Sequence, residues 1–266
     1  MIVDFHTHCY PRPLAEKVAR TDPSPRKLPV PTTEDLLGQM TEAGVDLSVV
    51  LPVATRPDTV RDTNQFAQSI QSDRLLPFAA IHPDQPDSLD LLEELAEQGV
   101  KGVKFHPPFQ HFSLDDPKYR PLYRKIGDLG LITVIHPGRA LPEEEHYCYP
   151  STFARVADDF MGAPVILAHM GGILIQQAEL DLLPHLPVYL DTALWPIFMS
   201  QERFLQLIDL VGLDRVLFGT DYPYTGPADC VKHIQDLPLT DREKDQLFSG
   251  NALTLLRLHP CQKPTE

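Results

Sequence analysis

Histidines gather at the ends of short apolar segments in this sequence. Six of the eleven histidines occupy such positions: His6, His8, His82, His106, His136 and His169. Asp221 ends a further apolar segment, LFGTD. Imidazole and carboxylate groups are ligands that suit a borderline divalent ion such as Zn²⁺. The residue types therefore predict a metal centre, provided that the fold brings the segment ends together.

The first segment, IVDFHTHCY, supplies two of these histidines. Side chains alternate between the two faces of a strand, so Asp4, His6 and His8 are expected on one face. A single strand would then present two imidazoles to the same cavity.

Four further side chains near the ends of these segments could bind a substrate: Lys104, His106, Arg56 and Arg139. A buried lysine is costly unless it is paired, and a guanidinium group binds a carboxylate through two parallel hydrogen bonds. Both groups favour an acidic small-molecule substrate. The alternatives are that each arginine forms an ion pair within its loop and that His106 caps its strand.

The elements that must position these residues repeat along the chain. A helical pattern, a glycine and a short run of Val, Ile and Leu recur, for example in MTEAGVDLSVVLPV and LAEQGVKGVKFHP. With three runs that lack this lead-in, the sequence predicts eight strands, which begin near residues 2, 46, 75, 100, 131, 164, 187 and 215. Strands that alternate with helices at nearly equal spacing indicate an α/β fold, a (β/α)8 TIM barrel that forms a single domain over residues 1–266.

Five of the predicted strands follow a glycine at the end of the preceding helix: Gly44, Gly99, Gly130, Gly162 and Gly212. The residue after a helix commonly adopts a left-handed backbone conformation, which glycine enters without steric cost. Active sites of TIM barrels lie at the carboxyl ends of the strands. The histidines and Asp221 are therefore expected to face one cavity.

The connection after the first strand is longer than the others. It contains a proline-rich segment, YPRPLAEKVARTDPSPRKLPVP, at residues 10–31. This composition would also suit a disordered linker. Because the segment leaves the carboxyl end of a strand, we interpret it as an insertion that forms a lid or a pocket wall. A helix is expected to begin near Thr32.

Composition argues against several classes of partner. The chain has 23 Lys and Arg against 37 Asp and Glu, a formal net charge of −14, which disfavours nucleic acid and anionic membranes. No stretch approaches the roughly 18 consecutive apolar residues of a membrane span, and MIVDFHTHCY does not resemble a signal peptide. Four scattered cysteines fit a reducing cytoplasm. Nothing periodic marks an interface, so a homo-oligomer stays open.

Motifs along the whole chain resemble those of the amidohydrolase superfamily. The matching segments are DFHTH, GVKFHP, VIHPG, LAHMGG, VYLDTA, LFGTDYPY and GNALTLL. Within the superfamily they are most similar to the branch that contains aminocarboxymuconate-semialdehyde decarboxylase and related hydrolases.

The resemblance implies roles for particular residues. The implied metal ligands are His6, His8, His136 and Asp221, and His169 is the implied catalytic imidazole. Asp221 would also take a proton from a metal-bound water and hand it to a leaving group. Lys104 matches the position of the carboxylated lysine that bridges two metals in some members. One divalent ion, with Zn²⁺ preferred, is expected, and two if Lys104 is carboxylated.

Two reactions are compatible with such a centre. The first is hydrolysis of an amide, lactone or ester by metal-activated water. The second is non-oxidative decarboxylation of an unsaturated or aromatic carboxylic acid. The resemblance favours hydrolysis, because the short chain and the KFHP strand are more similar to hydrolase members. A third interpretation, a non-enzymatic fold stabilised by metal, is disfavoured because structural sites are closed and rich in thiolates.

Overall fold

Parallel strands form the centre of the molecule. The computed structural model describes residues 1–22, 27–140 and 148–258. Within them it contains nine strands: β1 Val3–Thr7, β2 Leu47–Val50, β3 Leu75–Pro77, β4 Ala79–Ala80, β5 Gly102–Phe105, β6 Ile132–Ile135, β7 Val165–Leu167, β8 Val188–Asp191 and β9 Val216–Leu217. Their starts lie within a few residues of the eight predicted starts, with β4 as an additional short strand.

The nine strands close into a barrel with eight strand positions. Strands β1 to β3 pair in parallel, as do β4 to β9. Only Phe78 separates β3 from β4, and its N–H donates to the Val50 carbonyl at 2.9 Å. The two short strands therefore occupy one strand position of the barrel. The other end closes where the Phe5 N–H donates to the Phe218 carbonyl at 2.8 Å. The predicted TIM barrel is confirmed.

Helices alternate with the strands, as the repeated pattern predicts. They are α1 Arg12–Thr21, α2 Thr33–Ala43, α3 Val60–Ser69, α4 Ser88–Glu97, α5 Pro107–Gln110, α6 Arg120–Asp128, α7 Pro150–Ala154, α8 Gln177–Leu180, α9 Trp195–Phe198, α10 Gln201–Val211, α11 Pro227–Gln235, α12 Asp241–Asp245 and α13 Asn251–Leu256. Helix α2 begins as predicted, because the Thr32 hydroxyl accepts from the Asp35 N–H at 3.2 Å. The five glycines all have positive φ, for example 71° at Gly44.

Two clusters of buried apolar side chains hold the barrel together. The smaller cluster contains inward-facing residues such as Val49, Val134 and Ile166, and Ala252 and Leu256 of α13 pack against it. The larger cluster lies between the outer faces of the strands and the surrounding helices. Within the described ranges, every helix is too short or too polar to span a lipid bilayer.

The proline-rich insertion contains a helix. Helix α1 occupies residues 12–21, and the Tyr10 N–H donates to the Pro31 carbonyl at 2.9 Å, so the two ends of the insertion meet. Residues 23–26 lie outside the described part of the chain. A role as lid or pocket wall stays a prediction.

Candidate active site

A β-bulge near the end of β1 orients the first histidine. Asp4 pairs with Ser48 and Thr7 with Val50, so Phe5 and His6 both lie opposite a single residue of β2. A bulge interrupts the alternation of side chains and commonly re-aims a residue next to an active site. The prediction that Asp4 shares the face of His6 and His8 is therefore wrong.

Asp4 instead ties β1 to the segment that carries Asp221. Its carboxylate accepts from the Thr220 N–H at 3.0 Å and from the Thr220 hydroxyl at 2.7 Å. It also accepts from the His6 N–H at 3.1 Å. Burial raises the pKa of Asp4 to about 7.

In His6 and His8, the outer ring nitrogen, which is the one that points away from Asp221, donates a hydrogen bond. His6 Nδ1 donates to Asp191 Oδ2 at 2.8 Å, and His8 Nδ1 donates to the Leu51 carbonyl at 2.7 Å. A carbonyl or carboxylate oxygen can only accept, so in each neutral ring the proton sits on Nδ1. Both Nε2 lone pairs then face Asp221 Oδ1, at 3.4 Å from His6 and 3.0 Å from His8.

His136 and His169 show the same arrangement from two other strands. His136 Nε2 donates to the Arg139 carbonyl at 3.0 Å, and His169 Nδ1 donates to the Ala193 carbonyl at 3.3 Å. The remaining nitrogens, His136 Nδ1 and His169 Nε2, are 2.9 Å apart. Two lone pairs at this distance repel each other unless one of the nitrogens binds a proton or a metal ion.

The inner nitrogens and a carboxylate together make a site that fits a cation. His6, His8 and Asp221 each offer a ligand atom, and these atoms lie within 4.8 Å of one another. His136 is not one of these three residues; its Nδ1 contacts His169, whose ring centre lies 5.0 Å from that of His6. Imidazole nitrogens and a carboxylate oxygen match the donor set of Zn²⁺ and of related divalent ions.

Electrostatics keep His136 and His169 neutral and Asp221 ionised. Burial lowers the pKa of His169 to about 4 and the pKa of His136 well below its usual value. For Asp221, burial works in the opposite direction, but His6, His8 and His169 hold the pKa of that carboxyl well below its usual range. Neutral imidazole and ionised carboxylate are the forms that ligate metals.

Comparison with known proteins identifies the family. Residues 3–258 match the amidohydrolase family model. The chain belongs to the amidohydrolase family. The resemblance inferred from the sequence motifs is confirmed.

Named relatives of this amidohydrolase include decarboxylases. It is 25% identical to 6-methylsalicylic acid decarboxylase of Penicillium expansum over 95% of each chain. A crystal structure of 2,6-dihydroxybenzoate decarboxylase with 2,6-dihydroxybenzoate superimposes with a TM-score of 0.74 at 18% identity, over 97% of this chain and 99% of that one. A dihydroxybenzoic acid decarboxylase from a Polaromonas species, with bound manganese and 2-nitroresorcinol, gives 0.72 at 17% identity over 98% of both chains. At these identities the structures show the shared fold.

Lys104 brings a positive charge to the centre of the amidohydrolase site. The side chain comes from β5 and is 1% exposed. Its Nζ lies 3.4 Å from His6 Nε2, and no carboxylate oxygen lies within 4.0 Å of it among the described residues. Burial lowers the pKa of Lys104 to about 8, so the side chain is mostly cationic at pH 7.

Two segments of the amidohydrolase leave regular geometry where functional side chains emerge. His169 and Met170 have φ of 58° and 51°, and Asp221 has φ of 62°. A left-handed backbone is unfavourable for residues with a side chain and is found at functional sites when the surroundings enforce it. The Asp221 N–H supplies part of that constraint, because it donates to the His6 carbonyl at 2.8 Å.

His106 joins the site through a stack of rings. Its ring lies 4.0 Å from the Phe109 ring on one side and 4.0 Å from the His136 ring on the other, nearly parallel to both. His106 Nδ1 accepts from the Phe109 N–H at 3.4 Å, so the neutral ring carries its proton on Nε2. The ring therefore both caps α5 and contacts the cluster.

The two arginines are not brought into the cluster. Arg56 is exposed, and its guanidinium donates to Asp58 at 2.9 and 3.0 Å, which is the loop ion pair named above as the alternative. Arg139 is also exposed, and its backbone carbonyl accepts from His136 Nε2. Substrate binding by either arginine stays a prediction.

Asp191 belongs to the site, although no role for it was expected from the sequence motifs. It ends β8, is completely buried, and contacts both His6 and the backbone of His169. A signal was available, because the carboxylate ends the predicted strand PVYLDTA in the same way that Asp221 ends its own.

Proposed function

We propose that this amidohydrolase is a metal-dependent decarboxylase that releases CO₂, without oxidation, from a small aromatic or unsaturated carboxylic acid. The observation that carries the proposal is a buried ammonium group, Lys104, beside a cluster of inward-facing imidazole nitrogens and an ionised carboxylate. The names of the similar decarboxylases support the same reaction. They favour the second of the two reactions that the sequence suggested, and hydrolysis stays a prediction without specific support.

The metal centre in this proposal is made by His6, His8, His136 and Asp221. When bound, a divalent ion supplies Lewis acidity that stabilises negative charge on a substrate oxygen. Zn²⁺ and Mn²⁺ both fit the nitrogen and oxygen donors.

Lys104 is proposed to bind and orient the acid. A carboxylate or phenolate oxygen that enters the site finds the ammonium group in a region from which water is largely excluded. A charge-assisted hydrogen bond is strong in such surroundings. The Nε2–H of His106 is a second donor for the same ligand.

Proton handling is assigned to His169 and Asp221. Decarboxylation replaces a carboxylate by a hydrogen, so each turnover consumes one proton at the carbon that loses CO₂. With His136 Nδ1 assigned to the metal, His169 Nε2, which lies 2.9 Å from it, is the nitrogen that would deliver this proton. Asp221, whose carboxyl is held ionised, would orient His169 for the transfer.

The test is turnover in D₂O by protein purified without chelator, with the metal content of each preparation determined. Salicylate, 6-methylsalicylate and 2,6-dihydroxybenzoate would be assayed beside a lactone and an amide of the same ring. The expected result is CO₂ release from at least one acid, with one deuterium at the carbon that carried the carboxyl group. Hydrolysis of the lactone or amide with no CO₂ from any acid would overturn the proposal.

A further inference from the structure

Asp191 accepts three hydrogen bonds, which connect His6 to the backbone of His169 and Ala193. Its Oδ2 accepts from His6 Nδ1 at 2.8 Å. Its Oδ1 accepts from the His169 N–H at 2.8 Å and from the Ala193 N–H at 3.1 Å.

The first of these bonds decides which nitrogen of His6 faces the cluster with a lone pair. With Nδ1 protonated, Nε2 is free of hydrogen and lies 3.4 Å from Asp221 Oδ1. In the other tautomer, Nε2 would carry a hydrogen into the position where a metal must bind. A carboxylate behind a ligating imidazole also raises the basicity of the ligand nitrogen.

We propose that Asp191 is a positioning residue that holds His6 in the tautomer able to bind a divalent metal. Through its bond to the His169 N–H, Asp191 also anchors the turn that carries the His169 imidazole. The inference rests on the metal centre of the proposed function. It goes beyond that function because it gives a role to a residue that touches neither the metal nor the substrate.

The alternative is that Asp191 ligates the metal directly. His6, His169 and Asp191 do offer ligand atoms within 4.8 Å of one another. However, both oxygens of Asp191 already accept N–H groups at 2.8 to 3.1 Å, and Oδ2 faces the outer nitrogen of His6 rather than the inner one. The geometry favours the positioning role.

The variant Asp191→Asn separates these roles with little loss of packing. Its Oδ1 keeps the two backbone N–H donors of His169 and Ala193. Its amide NH₂ replaces Oδ2 and faces His6 Nδ1 with a donor in place of an acceptor. His6 is then expected to move its proton to Nε2.

A matched control is Asp159→Asn. Asp159 is also a buried carboxylate, 6% exposed, and it is bound by Arg120 at 3.0 Å and Arg124 at 2.9 Å, away from the cluster. Its loss lowers the melting temperature without touching a histidine of the site.

Two measurements read out the role without an activity assay. In the metal-free protein, ¹⁵N NMR of the imidazole rings is expected to show His6 protonated on Nδ1 in the wild type and on Nε2 in Asp191→Asn, with the His6 signals assigned from a His6→Gln spectrum. Competition with a chelator is expected to show a Zn²⁺ dissociation constant raised by about 10- to 100-fold. Asp159→Asn is expected to change neither.

The possible outcomes separate this inference from the proposed function. An unchanged tautomer or an unchanged Zn²⁺ affinity in Asp191→Asn overturns the positioning role alone. Complete loss of Zn²⁺ binding in Asp191→Asn would indicate that Asp191 is itself a ligand. It would also overturn the positioning role. The tautomer change and weakened binding, in a protein that releases CO₂ from no acid, support the role while contradicting the proposed reaction.

Discussion

Lys104 is the residue whose charge is expected to matter most for the proposed substrate binding. It is buried beside His6 and has no carboxylate partner within 4.0 Å among the described residues. Lys104→Met is expected to raise the KM for an acid substrate by about 10- to 100-fold, because a hydrogen bond to a charged group is worth about 1.5–3 kcal/mol. Steady-state kinetics at pH 7 check this. Lys101→Met, an exposed lysine three residues earlier, is the control. An unchanged KM would remove Lys104 from the binding site.

The same lysine is expected to destabilise the metal-free fold. Its pKa is about 8 in the folded chain against 10.5 for a free side chain. Below pH 8 the group is charged in both states and its burial costs about 3 kcal/mol, from 2.5 pKa units at about 1.4 kcal/mol each. Above pH 10.5 it is neutral in both states and the cost disappears.

Urea unfolding of metal-free Lys104→Met tests this cost. At pH 7 the variant is expected to have the higher free energy of unfolding, and the difference from the wild type is expected to shrink as the pH rises from 8 to 10.5. A difference that is the same at both ends of this range would contradict burial as the cause. Lys101→Met should match the wild type throughout.

At the scale of elements, close approach of strands constrains β5. A Cβ added at Gly102 would lie 2.4 Å from the Ile132 carbonyl oxygen and 2.5 Å from the Phe78 ring. Gly102→Ala is therefore expected to lower the free energy of unfolding by about 1–3 kcal/mol through overpacking.

A glycine on a helix supplies the control for that substitution. A Cβ at Gly38 of α2 would meet nothing within 4 Å, so Gly38→Ala is expected to stabilise the protein by about 0.5–1 kcal/mol. Chemical denaturation of the two variants measures both effects. Equal stabilities would show that β5 can shift to accept a methyl group, and that the approach of β5, β6 and Phe78 is not limiting.

At the scale of the whole molecule, the barrel is expected to fold without its metal. Its two apolar clusters involve every strand and do not depend on an ion. Chelation should therefore abolish activity and lower the melting temperature by about 10 °C, since a ligand at a thousand times its Kd adds about 4 kcal/mol. Calorimetry and circular dichroism before and after adding back Zn²⁺ or Mn²⁺ check both points. Unfolding of the chelated chain, or undiminished activity, would contradict this view.

The architecture could be predicted from the sequence, and so could the meeting of three residues of the site. Glycine-terminated helices and short β-branched runs are local signals, and they placed the strand starts within about two residues and the Thr32 cap correctly. In a closed parallel barrel, strand ends must meet at one rim. The meeting of His6, His8 and Asp221 follows from that topology.

How each side chain is oriented depends on contacts between distant parts of the chain. The bulge that turns His6 away from Asp4 depends on the pairing of β1 with β2, and no local pattern in DFHTH encodes it. The bond from His6 to Asp191 joins residues 185 positions apart. The loop ion pair of Arg56 likewise depended on how the chain turns after β2. Residue types and spacing encode which groups reach the rim, whereas tautomers and partners depend on distances that exist only after the barrel has closed.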